Sequence, residues 1–194
     1  PLIVRWPKHI KPGSVSSELT STLDICQTIV KLAAAKPAHE LHGRYLFGED
    51  LVKRKYIHFN RDKMDSTHDA MRAVRTDRYK LIHNLMPERA YCQLNEYKEK
   101  QYPILALMNV LNQQGKLNPV QARFMAAKKP EFELYDLKSD PHEINNLADD
   151  PKHSKLKGEL LAEINRWRKE VNDPGVTEEF RKGGWSPKYP TKSL

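Results

Sequence analysis

Phe132-Glu-Leu-Tyr-Asp-Leu-Lys-Ser-Asp-Pro-His-Glu-Ile-Asn-Asn-Leu-Ala-Asp149 reads as an extended run, a polar reversal and a tie-down set just ahead of a long helix. Phe132, Leu134 and Leu137 are apolar anchors around the run. Ser139-Asp140-Pro141 is turn chemistry, because proline fixes its own φ and brings no N–H donor. Asp140 and Glu143 look like an acid/base pair by spacing alone, but their place in a turn on the approach to a helix favours capping.

Downstream, Pro151 opens a helix in which Leu156, Leu160, Ile164, Trp167 and Val171 recur every three or four residues, an apolar stripe expected to pack on a sheet. Asp173-Pro174-Gly175 ends it, and Gly183-Gly184, Pro187 and Pro190 predict an extended terminus. Upstream, Asn118 followed by Pro119 is an N-cap with proline at the first helical position, predicting a short helix to about Ala127. Leu105, Met108 and Leu111 predict another over Pro103 to Gln114. Together they form a helical insertion at about 103–127. Residues 85–102 show no clear period. Lys55 to Asn60, Met71 to Arg75 and Arg78 to Asn84 alternate as strands, the last two joined as an antiparallel hairpin through Thr76-Asp77. Ile25, Thr28, Ile29 and Leu32 predict a helix from Asp24, its N-cap, to Ala35. Pro1-Leu-Ile-Val-Arg-Trp-Pro7 reads as a strand cut from a larger sheet, too short to span a membrane.

The 194 residues carry a net charge of +8, which favours anionic partners. The positive residues are scattered, densest at Lys53-Arg54-Lys55 and Lys128-Lys129, and are read as solvated surface. No basic stripe or aromatic platform suits nucleic acid, so neither a nucleic acid nor a membrane is expected as partner. Cys26, among Leu23, Ile25, Ile29 and Val30, reads as a buried thiol; a disulfide with Cys92 stays open.

The stretch quoted first resembles the signature near the C-terminus of sulfatases. Three further blocks agree in order and spacing. Pro1 to Pro7 with Lys11-Pro-Gly-Ser14 resembles the strand and loop after that family's catalytic half. Leu23-Asp-Ile-Cys-Gln-Thr-Ile29 resembles a family helix start, with Gln27 where proline is usual. Arg61-Asp-Lys-Met-Asp65 with Met71-Arg-Ala-Val-Arg75 and Tyr79-Lys-Leu-Ile82 resembles bacterial heparan N-sulfatase (sulfamidase)-like sulfatases, as do Lys116-Leu-Asn118, Gln121 and Phe124.

The resemblance implies an α/β class, α+β for the fragment itself. Residues 1–54 would be the terminal part of an alkaline-phosphatase-like α/β domain. Residues 55–194 would be a C-terminal subdomain with a small antiparallel sheet and a long packing helix. It also implies a formylglycine nucleophile, made from a cysteine or serine in Cys/Ser-x-Pro/Ala-x-Arg, and a calcium ion with oxygen ligands. No such motif is present: Ser139-Asp-Pro141 has the proline, but Glu143 stands in place of arginine. No catalytic residue and no metal ligand is therefore assigned here. Both are expected in an N-terminal catalytic part of the same protein, which is exported to the periplasm or medium, or lysosomal, by family habit. The histidines at 42, 83 and 153 lack partners at metal spacing and read as surface or packing residues.

Within the chain, the polar segment 58–68 is the candidate substrate site. Arg61 is a fork for sulfate or carboxylate, Asp62 and Asp65 accept from sugar hydroxyls, and His68 donates to a substrate oxygen. The competing reading leaves the carboxylates satisfying turn donors and the cations solvated. Arg72 is equally a structural ion-pair partner. A stand-alone basic module binding anionic glycans or nucleic acid, and a phosphoester or phosphonate hydrolase of the same superfamily, remain alternatives.

Overall fold

The computed structural model describes residues 2–48, 51, 53–64, 67–93 and 95–183. Pro1, Asp65 and the tail containing Gly184, Pro187 and Pro190 lie outside the described residues. The chain forms two compact units, Pro1–Ile57 and His58–Leu194.

In the first unit, α1 spans Thr22–Leu32. Ser21, and not Asp24, is its N-cap: the Ser21 hydroxyl accepts from Leu23 N, and Asp24 closes a capping box by accepting from Ser21 N at 2.7 Å. The helix thus starts three residues earlier than expected, because a serine and a carboxylate three residues apart satisfy its free N–H groups reciprocally. Its buried residues are Asp24 and Thr28, whereas Leu23, Ile25, Ile29 and Leu32 are exposed. Cys26 is accordingly exposed, contrary to the buried thiol expected, and both cysteines are free. Residues 2–6 form no strand, and Leu2, Ile3 and Val4 are exposed. A strand needs a neighbour for its backbone groups, and none of the described residues pairs with this run.

The second unit is built on a four-stranded sheet in the order β1-β2-β3-β4: Ile57–Met64, Thr67–Arg75, Tyr79–Asn84 and Phe132–Asp136. β2 and β3 run antiparallel with Val74 opposite Leu81, and β3 and β4 antiparallel with Leu81 opposite Leu134. These three side chains are fully buried in one row. The hairpin turn is closed by Thr76 N donating to Tyr79 O at 2.8 Å.

After β4, Arg78 grips the Asp136 carboxylate with two nitrogens at 3.0 and 2.7 Å. Asp140 accepts from Asn145 N at 2.7 Å within the turn and Glu143 pairs with Lys80, so neither caps a helix as expected. Asn146 supplies the tie-down. Its amide oxygen accepts from Leu134 N and Ala148 N, and its NH2 donates to Phe132 O, so one side chain stands in for a neighbouring strand along β4.

Between β3 and β4, α2 spans Glu96–Gln101, in the stretch that shows no period. α3 spans Pro103–Gln113 and α4 Pro119–Phe124, the latter with an Asn118–Gln121 capping box. A 3-10 turn, Pro151–His153, leads into α5, Ser154–Glu170, whose Leu160 and Ile164 are buried on the sheet, while Val171 just beyond it is exposed. α5 also buries His58, whose Nε2 donates to Glu163 at 2.9 Å while its ring stacks on Trp167. His83 stacks on Phe132. A final short helix, α6, spans Glu178–Lys182.

Removing buried methylenes leaves a cavity, so Ile164→Ala is expected to cost about 2–5 kcal/mol in urea unfolding, against under about 0.5 kcal/mol for Val171→Ala. Burial holds the pKa of both His58 and His83 below the ordinary 6.5, with Glu163 and Glu131 opposing it. As pH falls, the unfolded chain therefore takes up these protons before the folded one. Stability is complete above about pH 6.5 and declines below it. Urea midpoints measured from pH 7.5 down to 5 should fall less steeply in the His58→Gln/His83→Gln double variant. Asp24 and Asp173, held below the ordinary 3.8, act only at lower pH.

Candidate recognition site at the β1–β2 hairpin

The candidate residues sit on paired strands, where side chains alternate between faces. Asp62 near the end of β1 meets Arg72 of β2: Arg72 Nη1 donates to Asp62 Oδ1 at 2.7 Å and to Arg61 O at 3.2 Å. The rest of the Arg72 fork is taken by Asp173, just past α5, with Nε to Oδ2 at 2.8 Å and Nη2 to Oδ1 at 2.7 Å. Arg168 adds a bond to Asp173 at 2.6 Å. The Arg72 side chain is 3% exposed. Burial alone would lower its pKa, but Asp173 and Asp62 raise it above the usual value, and the Arg72 fork holds the Asp173 carboxyl well below the usual range.

Arg61 leans to the other face. Its Nη1 lies 3.8 Å from Asp69 Oδ2, too far for a hydrogen bond, and both its Nε and that Asp69 oxygen are buried without a hydrogen-bond partner. The other Asp69 oxygen accepts from Lys129 Nζ at 2.7 Å, and Lys129 also donates to Arg89 O. Lys129, expected as solvated surface, is buried. A lysine goes inside when a buried carboxylate compensates its charge.

His68 lies on the strand face of Ala70 and Arg72. Its Nδ1 donates to Phe180 O at 3.1 Å, and its ring stacks on Phe180 with centroids 4.7 Å apart. Arg89 binds the His68 carbonyl from below and the carbonyls of Arg181 and Gly183 from α6. The structure thus brings Asp62 and His68 to one face and Arg61 to the opposite one; Asp65 lies outside the described residues. Sequence reasoning missed Asp69, Arg89, Lys129 and Asp173. Asp173 reads as a helix stop, and its partner is 101 residues away, a separation without any local signal.

Among the described residues no three His, Cys, Asp or Glu side chains converge as a metal site. Asp62 and Asp173 serve Arg72, and Asp69 serves Lys129, so this donor set does not fit calcium. Among the same residues no helix is long and apolar enough to cross a membrane.

The family model for the C-terminal part of N-sulphoglucosamine sulphohydrolase matches residues 1–126. An ulvan-active sulfatase of Formosa agariphila is 35% identical over 89% of this chain and 29% of its own length. Human N-sulphoglucosamine sulphohydrolase is 28% identical over 91% of this chain and 38% of its length. The chain thus spans well under half the length of these relatives. A solved protein in complex with its substrate D-glucosamine-2-N,6-O-disulfate shares the fold, with a TM-score of 0.58 at 23% identity over 91% of this chain and 30% of that one. The chain belongs to the N-sulphoglucosamine sulphohydrolase C-terminal family of the sulfatases.

Proposed function

We propose that this chain is the C-terminal part of a sulfatase that hydrolyses sulfate esters or N-sulfo groups of sulfated glycans, and that its β1–β2 hairpin forms the rim of the sugar pocket. In this reading residues 1–54 end the α/β domain and residues 55–194 are the C-terminal subdomain. Arg61, Asp62, Asp65 and His68 are the substrate-binding residues. The observation that carries it is Arg61: a partly exposed side chain on β1, 3.8 Å from Asp69, whose guanidinium makes no hydrogen bond among the described residues. A cation held in place by charge, with hydrogen-bonding capacity left over, suits a sulfate or carboxylate. Asp62 has one oxygen on Arg72, and the other is only 3.4 Å from Asn60 Nδ2, leaving it able to accept from a sugar hydroxyl.

The nucleophile, a formylglycine, and the calcium ion belong in this reading to the N-terminal part that the relatives have in addition. When bound, calcium supplies positive charge against the sulfate oxygens. The residues of this chain bind and orient the sugar; alone they do not hydrolyse it. The protein is exported or lysosomal. The exposed apolar stripe of α1, Ile25, Ile29 and Leu32, is the surface that the N-terminal part covers.

In the complete enzyme, Arg61→Ala is expected to raise KM for a sulfated sugar about tenfold with folding intact, and Arg61→Lys less. Unchanged kinetics in both Arg61→Ala and Asp62→Ala would remove the hairpin from the site. Cys26, exposed beside the α1 stripe, should react with a thiol reagent in the isolated chain and be protected in the complete protein. Equal labelling rates in the two would refute the covering.

A further inference from the structure

Resting on this reading and deepening it, we infer that α6, Gly183 and Arg89 are a positioning device for His68, holding its proton on Nδ1 so that Nε2 meets the sugar as a hydrogen-bond acceptor for a hydroxyl. The polarity follows from the Phe180 carbonyl. A carbonyl oxygen only accepts, so at 3.1 Å the ring nitrogen facing it carries the proton. In a neutral imidazole the second nitrogen then bears the lone pair. Among the described residues Nε2 has no hydrogen-bond partner.

Three contacts keep the ring in this pose. The Phe180 ring lies against it at an interplanar angle of 18°. Gly183 passes so close that a Cβ there would stand 2.4 Å from Cε1 and 2.6 Å from Nδ1, which makes glycine the residue the site accepts. Arg89 spans the two sides, donating to the carbonyls of His68, Arg181 and Gly183. A charged donor shared by the strand and the α6 turn fixes the distance between them. An acceptor nitrogen repels sulfate oxygens and attracts hydroxyl protons. His68 therefore reads a sugar hydroxyl, the reverse of the donor role that the sequence suggests.

The complete enzyme, labelled with 15N-histidine and observed at pH 8, tests this. The His68 resonances, assigned by their loss in His68→Gln, are expected to be those of the Nδ1–H tautomer. Gly183→Ala, or Arg89→Lys should the first variant fail to fold, is expected to mix the tautomers. It should also raise KM for the sulfated sugar about tenfold, with kcat changed less than about threefold. His68→Gln, whose amide oxygen accepts near the Nε2 position, should keep KM closer to the native value than His68→Ala does. An Nε2–H tautomer in the native enzyme overturns the inference whatever the kinetics. The expected tautomer with KM unmoved in His68→Ala overturns instead the reading beneath it, and the inference falls with that reading.

Discussion

The second unit depends on one buried cation. A guanidinium taken from water costs several kcal/mol unless its charge and its donors are met. Arg72 is met from three directions at once: by Asp173 after α5, by Asp62 on β1, and by the backbone oxygens of Arg61 and Met71. The planar fork admits these partners in few geometries. Satisfying Arg72 therefore fixes where the end of β1 and the chain after α5 lie relative to β2. Packing of Leu160 and Ile164 presses α5 onto the sheet without direction, whereas the Arg72–Asp173 pair sets how the chain leaves it.

The same clamp reshapes the candidate site. Adjacent strand residues face opposite ways, so Arg61 and Asp62 reach the hairpin rim from its two faces instead of forming the flat patch that a polar loop would allow. Pairing extends β1 to Met64 and turns the expected loop into strand. Asp62 is thereby spent in part on structure and Arg61 is left with free capacity. Of the competing reading, Lys63 is exposed as a solvated cation, whereas Asp62 accepts from Arg72 instead of turn donors and Arg61 is half-buried beside Asp69.

Legibility followed the range of the physics. β4, its turn, α4 and α5 were readable because caps, proline and apolar period are local signals. The Thr76-Asp77 hairpin was readable for the same reason. α2 was missed because Glu96–Gln101 buries none of its residues, so no apolar period marks it; only the Asn95 cap, accepting from Lys98 N, announces it. Asp69, Lys129 and Arg89 were missed because a buried charge is written in sequence like an exposed one, and its partners are set by strand pairing. Of the candidate site, residue identities were legible. Their faces were not, since these follow from register.

α1 shows how far a local reading can mislead. Helical spacing predicts that Ile25, Thr28, Ile29 and Leu32 face inward within the fragment, yet of these only Thr28 is buried, together with Asp24. The reason is hydrogen-bond accounting. The Asp24 carboxylate, which burial alone would push toward neutrality, accepts from Arg54, from Ser21 N and from Arg44 N, and these donors lower its pKa instead. Thr28 accepts from Leu46 N at 3.1 Å. For those backbone donors to reach the helix, segment 43–46 must pass against its first turn. Gly43 permits this, because a Cβ there would lie 2.2 Å from Leu23 O. Organisation here rests on directed bonds to one carboxylate and on the absence of one methyl group. An apolar stripe can then stay outward without the helix losing its place.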